Sequence, residues 1–315
     1  DITKRSCLHA VTKNRGSLII EYLKHPNSQN ISIFIPYVLI NAIKIMWPNN
    51  SKLAISLVVN VEEGAEENVD DGDPRPDPVD ELQVIMKKGR NFGNETNYQY
   101  GIRAGAPRIL KLLSDYNINA TFTAAALALE RAPELTNDII KNGHEVCAHG
   151  YRWAHQHWMD ESKERDFIVK ARDSIKKSTG KYPSGWLSRY VLTENTRRIL
   201  TEEGYLYHMD DYSDDFPRWD IVNGRAILIS PYALDTNDMK MWIDASYTPD
   251  NWCKYLIDTF EWLYEESNNI GPRIMSVGIH LRIIGRPGRI NALKTFLEHV
   301  KNYDGIWFGT RHEIA

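Results

Sequence analysis

Short apolar runs end at titratable side chains at three places along the chain. Such runs, bounded by polar residues, are typical of strands buried in a parallel sheet. The runs and the residues that end them are 53–61 with Glu62, 144–148 with His149, and 273–279 with His280. Each ending taken singly is more often a residue of a solvated loop. Together they predict that a carboxylate and two imidazoles reach one rim of a sheet, where α/β enzymes hold their catalytic groups.

Segments with helical periodicity alternate with these apolar runs. Residues 104–116 carry their apolar side chains on one helical face. Asp160 is suited to cap a helix that Gly180 ends, and Thr248 with Pro249 begins a long aromatic-rich helix. Strand–helix alternation over about 250 residues predicts a parallel (β/α) barrel.

Two segments do not follow this alternation. Residues 66–90 are rich in Asp, Pro and Gly, and so long a loop is typical of a binding loop or lid, or of disorder. Residues 1–50 show no pattern that predicts structure. We therefore divide the chain into an N-terminal extension over residues 1–50, of unknown role, and a catalytic domain over residues 51–315.

Composition and charge narrow the classes of partner. The 315 residues are 42% hydrophobic and 25% charged, as expected for a chain that buries a full core. The net charge is −4 without a basic stripe, which argues against a nucleic acid, and no apolar segment is long enough to suggest a membrane. The widely spaced Cys7, Cys147 and Cys253 fit a reduced, cytoplasmic compartment and form no cysteine-based zinc site.

The residues at the strand ends can perform general acid–base hydrolysis. Glu62 can take a proton from water, and a neighbouring Glu63 would raise one carboxyl pKa by like-charge repulsion. His280 can protonate a leaving nitrogen, and His149 can hold the water or the oxyanion. Because adjacent residues on a strand point to opposite faces, a turn must bring both carboxylates inward for this pairing to hold.

Four stretches of the sequence carry a resemblance to a known family. They are 60–64 (Asn-Val-Glu-Glu-Gly), 143–153 (from Gly-His-Glu to His-Gly-Tyr-Arg-Trp), 231–238 (Pro-Tyr-Ala-Leu-Asp-Thr-Asn-Asp) and 278–289 (from Gly-Ile-His-Leu-Arg to Gly-Arg-Pro-Gly-Arg). Residues 52–315 resemble the polysaccharide deacetylase (carbohydrate esterase) superfamily, and most of all its cofactor-free, allantoinase-like branch. The resemblance implies a distorted (β/α) barrel.

The resemblance also implies roles for single residues. Glu62 falls at the position of the general base, Glu63 at that of a metal ligand, and His280 at that of the general acid. His149 matches the first histidine ligand, but Trp153 stands where the second should be, and an indole does not ligate zinc. We therefore expect a metal-free site, while a zinc ion, if one is bound, would be held by Glu63 and His149. Arg189 lies near the position of the family's arginine motif, at a spacing that does not align securely.

These implications favour a hydrolase of carbon–nitrogen bonds other than peptide bonds. The expected substrate is a small cyclic amide or ureide of the allantoin type, which needs less electrophilic help than an unstrained acetamide. One alternative is a metal-dependent N-deacetylase of amino sugars or polysaccharides. The other is a catalytically inactive barrel that serves as a binding module.

A small polar ring also needs binding partners near the catalytic groups. Trp153 would form a wall of the pocket, and the residues after the strand that ends near Ile229 would bind polar groups of the ring. The candidates for substrate binding are Trp153, Asp211, Tyr232, Asp235, Asn237 and Arg286. Asp211 and Arg286 are equally consistent with loop or surface residues. Asp235 and Asn237 are also consistent with a loop cap, but the need of a polar ring for partners favours substrate binding. The family resemblance further suggests a homo-oligomer, and a tetramer in particular.

Overall fold

Two separate sheets account for all the strands that the structure describes. The structure is a computed structural model that describes residues 47–315, except 80, 83 and 244–246, and the backbone of three earlier strands. These are β1 (Leu8–Thr12), β2 (Ser17–Tyr22) and β3 (Ser32–Pro36), which form an antiparallel sheet in the order β1-β2-β3. Much of the proposed extension over residues 1–50 lies outside the described residues, and the domain division stays a prediction.

The larger sheet has nine strands and holds the apolar runs singled out in the sequence. The strands are β4 (Leu53–Val61), β5 (Thr121–Ala124), β6 (Glu145–Ala148), β7 (Gly185–Trp186), β8 (Tyr207–His208), β9 (Arg218–Val222), β10 (Arg225–Ile229), β11 (Arg273–His280) and β12 (Ile306–Phe308). Their order is β11-β4-β5-β6-β7-β8-β10-β9, with β12 also paired to β4. All the pairings are parallel except that of β9 with β10. The result is a curled half-barrel, which confirms the predicted distorted barrel.

The central strand β4 fixes which residues meet at the rim. All nine of its residues are buried, which explains its near-continuous apolar sequence. In the parallel pairing with β11, Asn60 lies opposite His280. In the pairing with β5, Val61 lies opposite Ala124, and Ala124 in turn lies opposite Ala148 of β6. The residues that follow Val61 and Ala148 therefore emerge beside the end of β11.

Helices cover the sheet, and several begin and end where the sequence predicts. In chain order they are α1 (Phe92–Tyr100), α2 (Ala106–Asp115), α3 (Ala126–Arg131), α4 (Pro133–Lys141), α5 (Glu161–Thr179), α6 (Thr196–Glu202), α7 (Lys240–Ile243), α8 (Pro249–Asn269), α9 (Pro287–Val300) and α10 (Arg311–Ile314). Asp160 caps α5 by accepting a hydrogen bond from the Lys163 N–H, and Gly180 ends it at φ +80°. Thr248 and Asn251 form a capping box at the start of α8. None of the described helices is long and apolar enough to cross a membrane.

The segment 66–90 is irregular apart from one short helical turn, and it packs against the sheet end. Both carboxylate oxygens of Asp77 accept hydrogen bonds from Arg189, at 2.8 and 3.0 Å, and both side chains are almost fully buried. Arg152 pairs with Asp73 at 2.6 Å. These ion pairs attach the segment to the rim, and Val79 within it lines the cavity described next.

Candidate active site

The ends of β4, β6 and β11 bring three of the predicted residues into contact range. Glu62 Oε1 lies 3.6 Å from His149 Nε2 and 3.5 Å from His280 Nε2. All three side chains are buried. Two imidazoles therefore flank one oxygen of a single carboxylate at the carboxyl ends of parallel strands, the position in which α/β folds hold their catalytic groups.

A backbone carbonyl sets the tautomer of His149. Its Nδ1 lies 2.7 Å from the carbonyl oxygen of Leu187, and a carbonyl can only accept a hydrogen bond. Nδ1 must therefore carry the proton, so that in the neutral imidazole Nε2 presents a lone pair. Nε2 and Glu62 Oε1 are then two acceptors 3.6 Å apart that can share one donor.

Asp238 holds His280 as a cation. Its Oδ1 lies 2.6 Å from His280 Nδ1, and its Oδ2 accepts the backbone N–H groups of His280 and Ile284. Burial lowers the pKa of His280, but the charges of Asp238 and Glu62 outweigh it and raise that pKa to about 9. His280 therefore carries a proton on Nε2 at neutral pH, directed toward Glu62 Oε1.

A buried arginine stabilises the charge on Glu62. Arg282 Nη1 lies 2.8 Å from Glu62 Oε2, and its guanidinium carbon lies 4.3 Å from the centre of the Tyr98 ring. Burial raises the pKa of Glu62, but the positive charges of Arg282 and His280 together hold that pKa well below its usual range. Glu62 is thus ionised, with Oε2 bound to Arg282 and Oε1 facing the histidines.

Glu63 lies on the other side of the same guanidinium. Its Oε1 accepts the backbone N–H of Arg282 at 3.2 Å and lies 3.4 Å from Nη1, while its Oε2 accepts the N–H of Glu62 at 3.0 Å. Burial, with Glu62 as a second negative charge, raises the pKa of Glu63, although Arg282 opposes this. The structure therefore does not bring both carboxylates inward, because the adjacent side chains leave the chain on opposite sides.

The side chains at the implied ligand positions do not fit a metal ion of the family type. Glu63 lines a different pocket from His149, and Trp153 has no lone pair to offer. Among the described residues, no group of three or more His, Cys, Asp or Glu side chains is arranged to hold a metal. The positive charge next to Glu62 and Glu63 comes instead from Arg282.

Glu62, His149 and His280 open into one cavity of about 520 Å³. This volume is within the range of small-molecule sites. Three of the predicted binding residues line it, namely Trp153, Tyr232 and Asn237. Trp153 is almost fully buried and stacks on the guanidinium of Arg189, whose carbon lies 3.7 Å from the ring centre. The catalytic groups therefore face a small cavity with aromatic rings in its wall.

The other three predicted binding residues lie outside this cavity. Asp211 is paired with Arg197 at 2.9 Å and with Arg218 at 2.7 Å. Asp235 accepts a hydrogen bond from the Tyr255 hydroxyl. Arg286 donates to the side-chain oxygen of Asn97 and lies over the Tyr100 ring. Each of these charges is thus used in a local contact away from Glu62.

Asp238 and Arg282 were missed as site residues by sequence reasoning. Both lie inside stretches that carry the family resemblance, 231–238 and 278–289, so the signal was present. Their roles depend on contacts between residues far apart in the chain. Asp238 reaches His280 across 42 positions, and Arg282 reaches Glu63 across 219.

Comparisons with known proteins identify relatives of this chain. A family model described as "Polysaccharide deacetylase" matches residues 96–208. A Schizosaccharomyces pombe protein described as "Putative polysaccharide deacetylase" is 31% identical over 291 residues, covering 85% of this chain and 91% of the relative. A "Peptidoglycan deacetylase" of Helicobacter pylori is 28% identical, covering 67% of this chain and 82% of the relative. Among solved structures, PuuE allantoinase is 39% identical with a TM-score of 0.81, covering 85% of this chain and 90% of that one.

Proposed function

Since this chain belongs to the polysaccharide deacetylase family and is a hydrolase of carbon–nitrogen bonds other than peptide bonds, we propose that its substrate is a small cyclic amide or ureide of the allantoin type. The observation that carries this proposal is the cavity of about 520 Å³ in which Glu62, His149 and His280 meet beside Trp153. The similarity to PuuE allantoinase supports it.

The first step is activation of water by Glu62 and His149. In the neutral state of His149, a water molecule between them donates one hydrogen to Glu62 Oε1 and the other to His149 Nε2, the two acceptors 3.6 Å apart. Both hydrogens are then held by the protein, and a lone pair of the water oxygen faces the substrate. Glu62 accepts the proton as the water oxygen forms a bond to the carbonyl carbon.

The second step is cleavage of the carbon–nitrogen bond, with His280 as the acid. Its Nε2 proton passes to the leaving nitrogen, which takes the electron pair of the breaking bond. The proton that Glu62 received from water then passes to His280 Nε2, which lies 3.5 Å from Glu62 Oε1. One water is consumed, the ring opens to a carboxylic acid and an N–H group, and the enzyme recovers its starting protonation.

The aromatic wall of the cavity favours a compact ring over a long glycan. Trp153 fills the position of a metal ligand with an indole, and a large aromatic side chain buries about 150–250 Å². Arg189 packs on its face and donates to the Trp153 carbonyl oxygen at 2.6 Å. We infer that this wall, with Val79 of the attached segment 66–90 beside it, favours a small ring.

The second candidate function is metal-dependent N-deacetylation of amino sugars. It is favoured by the names of the two curated relatives from Schizosaccharomyces pombe and Helicobacter pylori. In that case Glu63 and His149 would have to ligate a zinc ion together with a third group.

An activity panel with and without a strong chelator separates these candidates. Purified protein is assayed on allantoin, hydantoin, a cyclic imide and N-acetylglucosamine oligomers, and its metal content is measured in parallel. We expect turnover of a cyclic substrate that survives dialysis against the chelator. Deacetylation of chitin oligomers without turnover of any ring, or activity that only zinc or cobalt restores, would overturn the proposal in favour of the second candidate. No turnover of any substrate would favour the inactive binding module.

A further inference from the structure

The hydroxyl group of Tyr232 lies inside the sheet next to the strand that carries His280. Tyr232 is almost fully buried and lines the cavity of Glu62 and His280. A Cβ atom placed on Gly278 would lie 2.2 Å from the Tyr232 hydroxyl oxygen, so only glycine leaves room for that hydroxyl. The absence of a side chain at Gly278 in β11 therefore leaves the space that the Tyr232 phenol occupies.

The amide of Asn60 is one of two groups that donate to this hydroxyl. One hydrogen of Asn60 Nδ2 goes to the carbonyl oxygen of Ile279 at 3.1 Å. Because a carbonyl only accepts, this bond fixes which end of the amide is nitrogen. The second hydrogen of the same nitrogen goes to the Tyr232 hydroxyl oxygen at 3.1 Å.

The amide of Asn237 is the other donor, and a backbone group fixes it as well. Asn237 Oδ1 accepts the backbone N–H of Met239 at 2.9 Å, so this end of the amide must be oxygen. The nitrogen end then faces Tyr232, and Nδ2 donates to the hydroxyl oxygen at 3.1 Å. Two independent backbone contacts therefore make the Tyr232 oxygen the acceptor of two hydrogen bonds.

The hydroxyl hydrogen of Tyr232 has no acceptor within the part of the chain that the structure describes. A phenolic group has one hydrogen to donate, and a buried donor is costly to leave without a partner. Burial raises the pKa of Tyr232, so the group keeps its hydrogen at working pH. The two incoming amide bonds polarise the O–H group and strengthen it as a donor.

Resting on the proposed function, we propose that the Tyr232 hydroxyl donates to the oxygen of the carbonyl that water attacks, and so stabilises the oxyanion. Asn60 lies opposite His280, and Gly278 lies two residues earlier on the same face of β11, about 7 Å deeper along the strand. In this arrangement the substrate ring lies between Tyr232, which is deeper along the strand, and Glu62 and His280 at the strand end. It then contacts all three groups.

Other groups near Glu62 are committed elsewhere. Neutral His149 has its hydrogen on Nδ1, which donates to Leu187. The Nε2 hydrogen of His280 is reserved for the leaving nitrogen, and Arg282 Nη1 is bound to Glu62. Tyr232, held by Asn60 and Asn237, therefore supplies a neutral donor for the oxygen.

The test is Tyr232→Phe, which removes only the hydroxyl, compared with Tyr212→Phe. Tyr212 lines the same cavity but is 45% exposed and has no part in the mechanism. Both variants are assayed on the amide that the wild-type protein turns over fastest in the panel. If that amide is not a small ring, the proposed function is wrong, and the role of Tyr232 is still decided on the amide that is turned over. We expect kcat to fall by about 10²–10³ in Tyr232→Phe, as for the loss of one oxyanion donor, with KM changed only a few-fold. Tyr212→Phe should stay within about two-fold of wild type, since it removes no oxyanion donor.

A second variant covers the case in which Tyr232→Phe does not fold. Asn237→Asp replaces the donating nitrogen by an oxygen that accepts the Tyr232 hydrogen, which turns the donor away from the cavity while the phenol remains. This variant should lose kcat to a similar extent, with KM changed only a few-fold. Near-native kcat in either folded variant, or a rise in KM alone, would overturn the proposal.

Discussion

Glu62 and Glu63 are identical side chains, adjacent in sequence and bound to the same guanidinium, yet they lie in different regions with opposite properties. On the cavity side, Arg282 and protonated His280 keep Glu62 ionised. On the other side, Glu63 lines a pocket of about 320 Å³ with Glu66. Burial raises the pKa of both carboxyls there, and that of Glu66 to about 7. The neighbours within a few ångströms therefore decide which carboxylate is the base.

The largest expected difference between the two regions is catalytic. Glu62→Gln should lower kcat by about 10²–10⁴, because it removes the group that takes the proton from water. Glu63→Gln is the matched control, since it makes the same chemical change and its one side-chain oxygen can still accept one of the two backbone N–H groups. We expect it to keep kcat within about ten-fold of wild type, well short of the loss of a general base. Steady-state kinetics on both variants test this, and equal losses would make Glu63 a catalytic group too.

Removing the shared cation should affect both regions at once. Arg282→Met leaves two buried carboxylates without their partner, and breaking one side of a buried ion pair costs about 3–5 kcal/mol of unfolding free energy. The pKa of Glu62 should also rise, which moves the acid limb of kcat/KM to higher pH. Arg282→Lys keeps the charge and should move this limb less. Denaturant unfolding and pH profiles measure the two effects, and an unshifted acid limb in Arg282→Met would contradict the role assigned to Arg282.

The pH dependence should come from the cavity side alone. Activity needs ionised Glu62, neutral His149 and protonated His280, so kcat/KM should fall as the pH rises through about 9, where His280 loses its proton. Stability follows the same groups. The raised pKa of His280 stabilises the fold below about 6.5, an effect that is lost as the pH rises through about 9. A kcat/KM profile that declines between pH 6 and 8 would show that another group controls the reaction.

The smallest expected effect concerns the packing behind Glu63. A Cβ atom on Gly101 would lie 2.4 Å from Glu63 Oε1. Gly101→Ala should therefore displace Glu63 and cost about 1–3 kcal/mol of stability, the usual range for overpacking. Because Glu62 lies on the other face, kcat should change little. Thermal unfolding and kinetics of this variant test whether the two regions are independent, and a catalytic loss as large as that of Glu62→Gln would show that they are coupled.

Much of the fold could be predicted from sequence because it rests on local signals. The buried strand Leu53–Val61 shows as an apolar run, and the helix over Glu161–Thr179 shows as a cap at Asp160 and a glycine at its end. The strand Arg218–Val222 was missed, because its residues alternate between exposed and half-buried at the edge of the sheet and carry no core signal. The helix Lys240–Ile243 is too short to show a period.

The site could be predicted only where a residue follows a strand directly. Glu62, His149 and His280 satisfy that rule, and their strands bring them together. The direction of Glu63 depends on the geometry after β4, which no sequence pattern gives. The partners of Asp211 come from α6 and β9, so its ion pairs could not be foreseen from the residues around it.

The ion pair of Glu62 and His280 has a consequence for product release. A neutral ring enters a cavity whose two central charges balance, and it bears no charge of its own for them to repel. Hydrolysis then creates a carboxylic acid next to Glu62, which is ionised again once its proton has passed to His280. When the new acid loses its own proton to solvent, a product carboxylate lies beside Glu62. Two neighbouring carboxylates in a buried site repel each other strongly. Ring opening therefore lowers the affinity of the site for the product, and this repulsion favours product release.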